Sequence, residues 1–475
     1  MRRAWLPILA LVMSLLPQAV LTGTAQAATV TIPNGVQFTD TTGAVVHAHG
    51  GGVIKVGNYY YWFGENRNED NTFRYVSAYR STDLKTWEFR RHVLTQATDP
   101  ELAVANIERP KVVFNSTTGK YVMWMHKENG ADYSEARAAV AVADTVDGDY
   151  SWRGSFRPLG HMSRDITLFR DDDGTGYMIS AARENRDLHV YRLSADYLTV
   201  ESRVQLLWAG QLREAPALFK RNGVYFLLTS GATGWNPNQQ KYATASSVTG
   251  TWSALADVGD ATAYGSQTTY VLPVQGTSGT SYLYMGDRWG NSFNQNVNAS
   301  RYVWLPLAFP TNTTMTMDWF PQITIDTATG SVAGVGGPWQ TVTARHSGKC
   351  VDVPSRSVDN GVQLTQYTCN GGMNQAWWFK DLGNGYHQLM AKHSGKCLDV
   401  ANNSLADGNP IIQWPCGSGN NQQWQLQDAG SGYVRLISRL SGKCLDIKDA
   451  STADSAKVVQ FTCGTGTNQQ FRRGA

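Results

Sequence analysis

No cysteine occurs before Cys350; all six lie from that position onward. A chain whose cysteines crowd into one end divides there into parts held together differently. Charge is scarce as well. Charged residues make up 17% of the 475, and the net charge is +3, so there is no basic surface of the kind that nucleic acid needs. Beyond the N-terminus no stretch approaches ~18 consecutive apolar residues, the length of a membrane-spanning helix, and no membrane partner is expected. No amphipathic helical period is visible between the strand-like segments. G-x-S-x-G and H-E-x-x-H are both missing, which removes two common hydrolase motifs.

What is abundant is aromatic and flexible: 16 Trp, 21 Tyr and 46 Gly. Aromatic rings stack on the apolar faces of sugars, but the same composition also suits any β-rich fold with many turns. The N-terminus carries Arg2 and Arg3, an apolar run from Ala4 to Leu21, and Ala25-Gln26-Ala27. That order predicts a secretory signal peptide over 1–27 and an extracellular protein.

The last third is a countable repeat. Ser347-Gly348-Lys349-Cys350-Val351-Asp352 recurs from Ser394 and again from Ser441, at a period of 47 residues. A second cysteine follows each first one after 19 residues, at Cys369, Cys416 and Cys463. Six cysteines allow fifteen pairings. The one that respects the repeat joins Cys350 to Cys369, Cys397 to Cys416 and Cys444 to Cys463. Asn374-Gln375-Ala376-Trp377 then recurs as Asn421-Gln422-Gln423-Trp424 and Asn468-Gln469-Gln470-Phe471. Short alternating runs between Gly and Asn turns read as strands, and three such units suggest a β-trefoil. The repeats resemble the ricin-type lectin fold, carbohydrate-binding module family 13, over residues 340–475. A galactose-like ligand needs a carboxylate for its hydroxyls, a ring beneath it and an amide beside it. Those groups are Asp352, Tyr367 and Asn374 in the first repeat. They are Asp399, Trp414 and Asn421 in the second, and Asp446, Phe461 and Asn468 in the third. Trp377, Trp424 and Phe471 are expected in the core instead. The uncharged, Gly-rich stretch 329–339 reads as a linker.

Residues 28–328 hold a looser repeat. Turns leading into aromatic strands place tyrosines at 60, 121, 177, 225 and 282. Strand-built repeats of this length predict a five-bladed β-propeller, so the fold class is all-β, propeller followed by trefoil. About a dozen residues upstream of each tyrosine, where an innermost strand begins, stand His47 and His49, then Glu108, Asp165, Glu214 and Gln267. These side chains are expected to converge in a central funnel, where unpaired carboxylates are costly unless used. Arg109, Arg164 and Arg213 each adjoin one carboxylate in sequence. Alternation along a strand sends neighbours to opposite faces, so they are not expected to neutralise the cluster. Carboxylates in a funnel suit glycoside hydrolysis.

Tyr79 to Trp87, Leu168 to Gly174 and Glu214-Ala215-Pro216 resemble glycoside hydrolase family 43. The resemblance implies an inverting mechanism, with Glu214 as general acid and Asp165 tuning it. The family's blade-one Asp is missing from Val46 to Gly52. In this the chain is similar to the exo-β-1,3-galactanase branch, as it is in Asn106 to Lys111 and Gln267. That implies β-1,3-galactan of arabinogalactans as substrate and Glu108 and Gln267 handling the water. It also implies Tyr133, Thr233 and Trp235 contacting the terminal galactose. The alternatives are another glycosidase of the family, or a non-catalytic lectin. No cofactor or catalytic metal is expected; the family resemblance leaves room for a structural calcium, and a monomer is expected.

Overall fold

The computed structural model describes residues 29–474. The expected signal peptide lies outside the described residues. Among those residues no helix is long and apolar enough to cross a membrane.

Five four-stranded antiparallel sheets follow one another along the chain. Blade one comprises His49–Val56, Tyr59–Arg67, Phe73–Ser81 and Glu88–Thr95. Blade two comprises Asn106–Asn115, Lys120–Glu128, Arg137–Ala143 and Ser151–Phe156. Blade three comprises Ile166–Arg170, Gly176–Ala182, Asp187–Leu193 and Val200–Leu207. Blade four comprises Arg213–Arg221, Val224–Gly231, Gln240–Ala245 and Ala256–Val258. Blade five comprises Gln267–Gly276, Gly279–Arg288, Arg301–Ala308 and Thr316–Met317. The five repeat tyrosines all lie in second strands. They read clearly because an aromatic there packs between neighbouring blades, as Tyr225 does with Phe169 of blade three and Tyr282 with Phe219 of blade four.

The ring closes without a shared blade. Val30–Pro33 pairs antiparallel with Gln322–Asp326, so residues before blade one meet residues after blade five. Asn34 then exchanges two hydrogen bonds with the backbone of Trp304, at 2.6 and 2.7 Å. The Tyr302 hydroxyl donates to the Val46 carbonyl at 2.8 Å and accepts from the Ala48 amide at 2.9 Å. Pairing the polar groups of Asn34 and Tyr302 in this buried seam keeps the closure from being a weak point.

The stretch 329–339 is not the plain linker its composition suggests. Ser331–Val335 pairs with Gln322–Asp326 and completes a three-stranded sheet, with Val332 buried against the propeller core. Small residues fit there because a Cβ at Gly334 would lie 2.2 Å from the Phe320 ring.

Twelve further strands, from Trp339–Ala344 to Phe471–Gly474, form the β-trefoil, and these two pair to close it. Its core repeats with the sequence: Val351, Leu398 and Leu445 in one layer, Trp377, Trp424 and Phe471 in another, all fully buried. The indole N–H of Trp377 reaches the Val351 carbonyl at 3.1 Å, and that of Trp424 reaches Leu398 at 3.2 Å. Phe471 fills the third position without that bond. The amides of Gln366, Gln413 and Gln460 each donate to two carbonyls of a neighbouring repeat. The three disulfides join the cysteines that the repeat pairs, each across 19 residues.

Candidate active site

Four of the five innermost strands carry the same irregularity at the funnel end. The ladder register slips between His49 and Gly52, Glu108 and Lys111, Glu214 and Ala217, and Thr268 and Tyr270. In three of them the residue after the polar one is left-handed: Gly50 at φ 62°, Arg109 at 53° and Ala215 at 52°. Such bulges re-aim side chains. Glu108 and Arg109 therefore both line one funnel, although they are neighbours on a strand. At Gly50 the site also demands glycine, because a Cβ would lie 2.2 Å from Oε1 of Glu65.

The funnel encloses about 250 Å³. Its lining includes Glu108, Asp165, Glu214, Gln267, Tyr133 and Trp235 from the sequence expectations. Glu214 accepts from the Gln267 amide at 2.9 Å on Oε1 and from Asn185 at 2.8 Å on Oε2. Burial, reinforced by the negative charge of Asp165, pushes its carboxyl up to about 8 against the smaller opposing pull of Arg109. A carboxyl in that range is still protonated at neutral pH, as a general acid must be. Asp165 accepts from the Ala215 amide at 3.0 Å and pairs with Nε of Arg109 at 3.0 Å.

Glu108 is bound quite differently. Its Oε1 accepts from Arg67 and from the Tyr133 hydroxyl, both at 2.7 Å. Its Oε2 meets Nδ1 of His126 at 3.1 Å. Burial would raise this carboxyl, but Arg67 and then His126 outweigh it and hold Glu108 well below the usual carboxylate range. The funnel thus contains one carboxyl poised to be neutral and one fixed as an anion. Opposed environments of this kind separate an acid from a charge-bearing partner.

Gln267 is saturated. Its oxygen accepts from Arg109 at 2.5 Å and from the indole N–H of Trp289 at 2.8 Å. Its nitrogen donates to Glu214 and to Ser230, both at 2.9 Å. An amide oxygen with two donors on it has no lone pair left for a proton.

Three expectations need correction. Arg109 does neutralise a carboxylate, Asp165 of the next blade, because the bulge breaks strand alternation. Arg213 instead bonds Thr229, and Arg164 bonds the Tyr133 carbonyl. Thr233 is exposed and does not line the funnel; its hydroxyl donates to the Asn236 carbonyl at 2.6 Å and closes a loop. His47 and His49 lie outside the funnel too: His49 turns to Asp287, at 3.0 Å, and stacks on Tyr302. Blade one contributes Glu65 and Arg67 from its second strand instead. Those two, with His126, Asn185 and Trp289, escaped the sequence reading. Their signal is cross-strand register, since Glu65 faces His49 and His126 faces Glu108.

A structural calcium does not fit this funnel. Its carboxylates are already met by Arg67, Arg109 and the His126 ring, which a divalent cation would have to displace.

In the trefoil, Tyr367, Trp414 and Phe461 are 41, 45 and 46% exposed, whereas Trp377, Trp424 and Phe471 are fully buried. Each exposed ring pairs in register with the first cysteine of its repeat, two residues before the Asp on the same face. Oδ2 of Asp352, Asp399 and Asp446 accepts from Asn374, Asn421 and Asn468 at 2.8, 2.7 and 2.9 Å. The following Gln donates to the same oxygen in each repeat, and among the described residues the other carboxylate oxygen takes no bond. Ring, fixed carboxylate and amide are thus repeated three times.

Comparison with known proteins agrees with this geometry. The model of glycosyl hydrolases family 43 matches residues 50–259, and that of the ricin-type beta-trefoil lectin domain matches 338–471. An exo-beta-1,3-galactanase structure from Clostridium thermocellum is 47% identical with a TM-score of 0.67, covering 94% of this chain and 99% of its own. An exo-beta-1,3-galactanase from Phanerochaete chrysosporium, solved with beta-1,3-galactotriose, is 27% identical with a TM-score of 0.65, covering 94% and 100%. A xylan 1,3-beta-xylosidase from Vibrio sp is 23% identical over 198 residues, 38% of this chain and 35% of that protein, so the match spans about a third of that curated relative. The chain belongs to glycosyl hydrolases family 43 and carries a ricin-type β-trefoil lectin domain at its C-terminal end.

Proposed function

We propose that the protein is a secreted exo-β-1,3-galactanase that removes galactose from the non-reducing end of β-1,3-galactan with inversion. The observation that carries this reading is the pairing of Glu214, held near neutrality, with the fixed anion Glu108 in one funnel. Similarity over nearly the whole chain to galactanases supports the choice of sugar. The three disulfides and the N-terminal pattern of basic, apolar and small residues support export.

In this mechanism the terminal galactose enters the funnel beside Trp235 and Tyr133. Glu214 passes its proton to the glycosidic oxygen as that bond breaks. Asp165, fixed by Arg109 and the Ala215 amide, keeps Glu214 protonated beforehand through its charge. Water attacks the anomeric carbon from the opposite face. The transition state is oxocarbenium-like, so the water becomes acidic as its bond to carbon forms. A weak base then suffices: Glu108 orients the water, and the released proton passes beside it to solvent. Gln267 aligns Glu214 and keeps its own amide form. The trefoil keeps the enzyme on the polymer through several weak sites, raising the local substrate concentration.

Chromogenic β-galactoside, β-xyloside and α-L-arabinofuranoside, assayed beside β-1,3-galactobiose, test the sugar. Turnover confined to the galactosides supports the reading. Preferential cleavage of the xyloside or arabinofuranoside would replace it with another activity of the family.

A further inference from the structure

Behind Glu108 lies a row of groups that the mechanism has not yet used. His126 stands between two carboxylates, Nδ1 at 3.1 Å from Oε2 of Glu108 and Nε2 at 2.7 Å from Oε1 of Glu128. His126 and Glu128 are both essentially buried, at 1 and 0% exposure. Glu128 does not line the funnel. Its second oxygen accepts from the Ala136 amide at 2.8 Å, and His126 is its one charged partner among the described residues.

We infer that His126 is a positioning residue, a permanent imidazolium held by Glu128, and that it fixes Glu108 as the anion that orients the attacking water. The inference rests on the proposed function for the role of Glu108, whereas the charge on His126 rests on the two carboxyl groups that face its ring. An ionised carboxylate only accepts hydrogen bonds, and a carboxyl group faces each ring nitrogen, so a ring between two carboxylates carries a proton on both nitrogens. A neutral ring would also leave Glu128 as a buried charge with no partner, which is costly. Burial would lower His126, but Glu108 and then Glu128 outweigh it and raise the ring to about 9.

The other groups facing Glu108 do not replace this clamp. Arg67 shares its guanidinium between Glu108 and Glu65, contacting Glu65 at 2.6 Å. Tyr133 is neutral and bonds only Oε1. Arg109 is committed to Asp165, Thr268 and Gln267. Among the described residues only His126 reaches Oε2, so it fixes the rotation of that carboxylate and adds to the hold that Arg67 has on its charge through Oε1. An imidazole held by a carboxylate and acting on a third group is a recurrent way to orient reactive side chains.

Two measurements test this. Ring ¹⁵N shifts of the wild-type protein should show His126 doubly protonated throughout pH 5–8; a neutral His126 at pH 7 would overturn the inference whatever the enzyme's activity. The second is the pH profile of kcat/KM for His126→Gln on β-1,3-galactobiose. Without the imidazolium, Glu108 protonates more readily, so the acid limb should move up by ~1–3 pH units, the usual effect of one neighbouring charge. Because the Glu108 carboxylate of the variant takes up a proton as pH falls, activity at pH 4 should drop more than at pH 7. A variant that loses activity equally at every pH, with its acid limb unmoved, would mean that His126 only packs. If the enzyme does not cleave galactan at all, the functional reading fails, while the ¹⁵N measurement still decides the charge.

Discussion

Gln267 and Glu214 face one another between blades five and four, the amide nitrogen of the first donating to Oε1 of the second at 2.9 Å. A second amide, Asn185, holds the other oxygen of Glu214. These neutral donors orient the carboxyl, while burial and the charge of Asp165 outweigh the pull of the Gln267 bond towards the ionised form.

Replacing Glu214 by Gln should therefore remove catalysis and little else. We expect kcat to fall by at least ~10²–10⁴, the usual worth of general acid catalysis. Galactose binding, measured by calorimetry, should change little. Near-normal turnover would remove Glu214 from the acid role.

The same carboxyl sets a pH signature. Activity requires its proton, so kcat/KM should decline as pH rises through about 8. Stability follows the matching sign. The folded value lies above the ordinary 4.5, so the unfolded chain ionises first and the cost of burying Glu214 grows from about pH 4.5 to about 8. Glu214→Gln should raise Tm more at pH 8 than at pH 4.5. Equal shifts at both pH values would contradict a raised carboxyl.

Arg109 tests the architecture around it. Its guanidinium reaches Asp165, Thr268 and Gln267 from a left-handed bulge position. Lysine keeps the charge but offers one nitrogen where three directions are needed. Arg109→Lys should cost about 10²-fold in kcat through misplacement of order 1 Å, with KM less affected. An unaltered kcat would show that charge alone suffices.

These particulars also show how much of the site could be read from sequence. The five tyrosines and the polar residues upstream of them located the inner strands, because both patterns are local and repeat once per blade. The cysteine pairing was legible for the same reason. What escaped depends on register and bulges, which no single segment encodes. Glu65 and Arg67 come from a second strand, Asn185 from a hairpin turn and Trp289 from a loop. His49 stands at the expected place in blade one, yet its ring turns to Asp287. The small residues of Ser331–Val335 read as a linker, although they pair along a whole strand.

Disulfides occur only in the trefoil, so reduction should separate the two domains functionally. Each bridge closes about twenty residues and contributes on the order of 3 kcal/mol by chain entropy. Mild reductant should abolish retention of the protein in galactan-containing gels while leaving turnover of soluble galactobiose intact. Parallel loss of both activities would mean that the propeller depends on the trefoil.

Among the three trefoil rings, Trp414 offers the largest stacking surface and Phe461 the least polar help. Trp414→Ala should reduce gel retardation most, Tyr367→Ala less and Phe461→Ala least, with kcat on galactobiose unchanged in all three. Because several weak sites act together, losing two should weaken retention more than the sum of single losses. The reverse order would mean that site strength is set elsewhere than by the ring.

The most direct test of the central claim is to incubate the protein with linear β-1,3-galactan and follow the first minutes by proton NMR. Galactose should appear first as the α-anomer, since inversion at a β-linkage leaves the α product. Galactose appearing first as the β-anomer would contradict the division of labour between Glu214 and Glu108, and an absence of released galactose would contradict the assigned substrate.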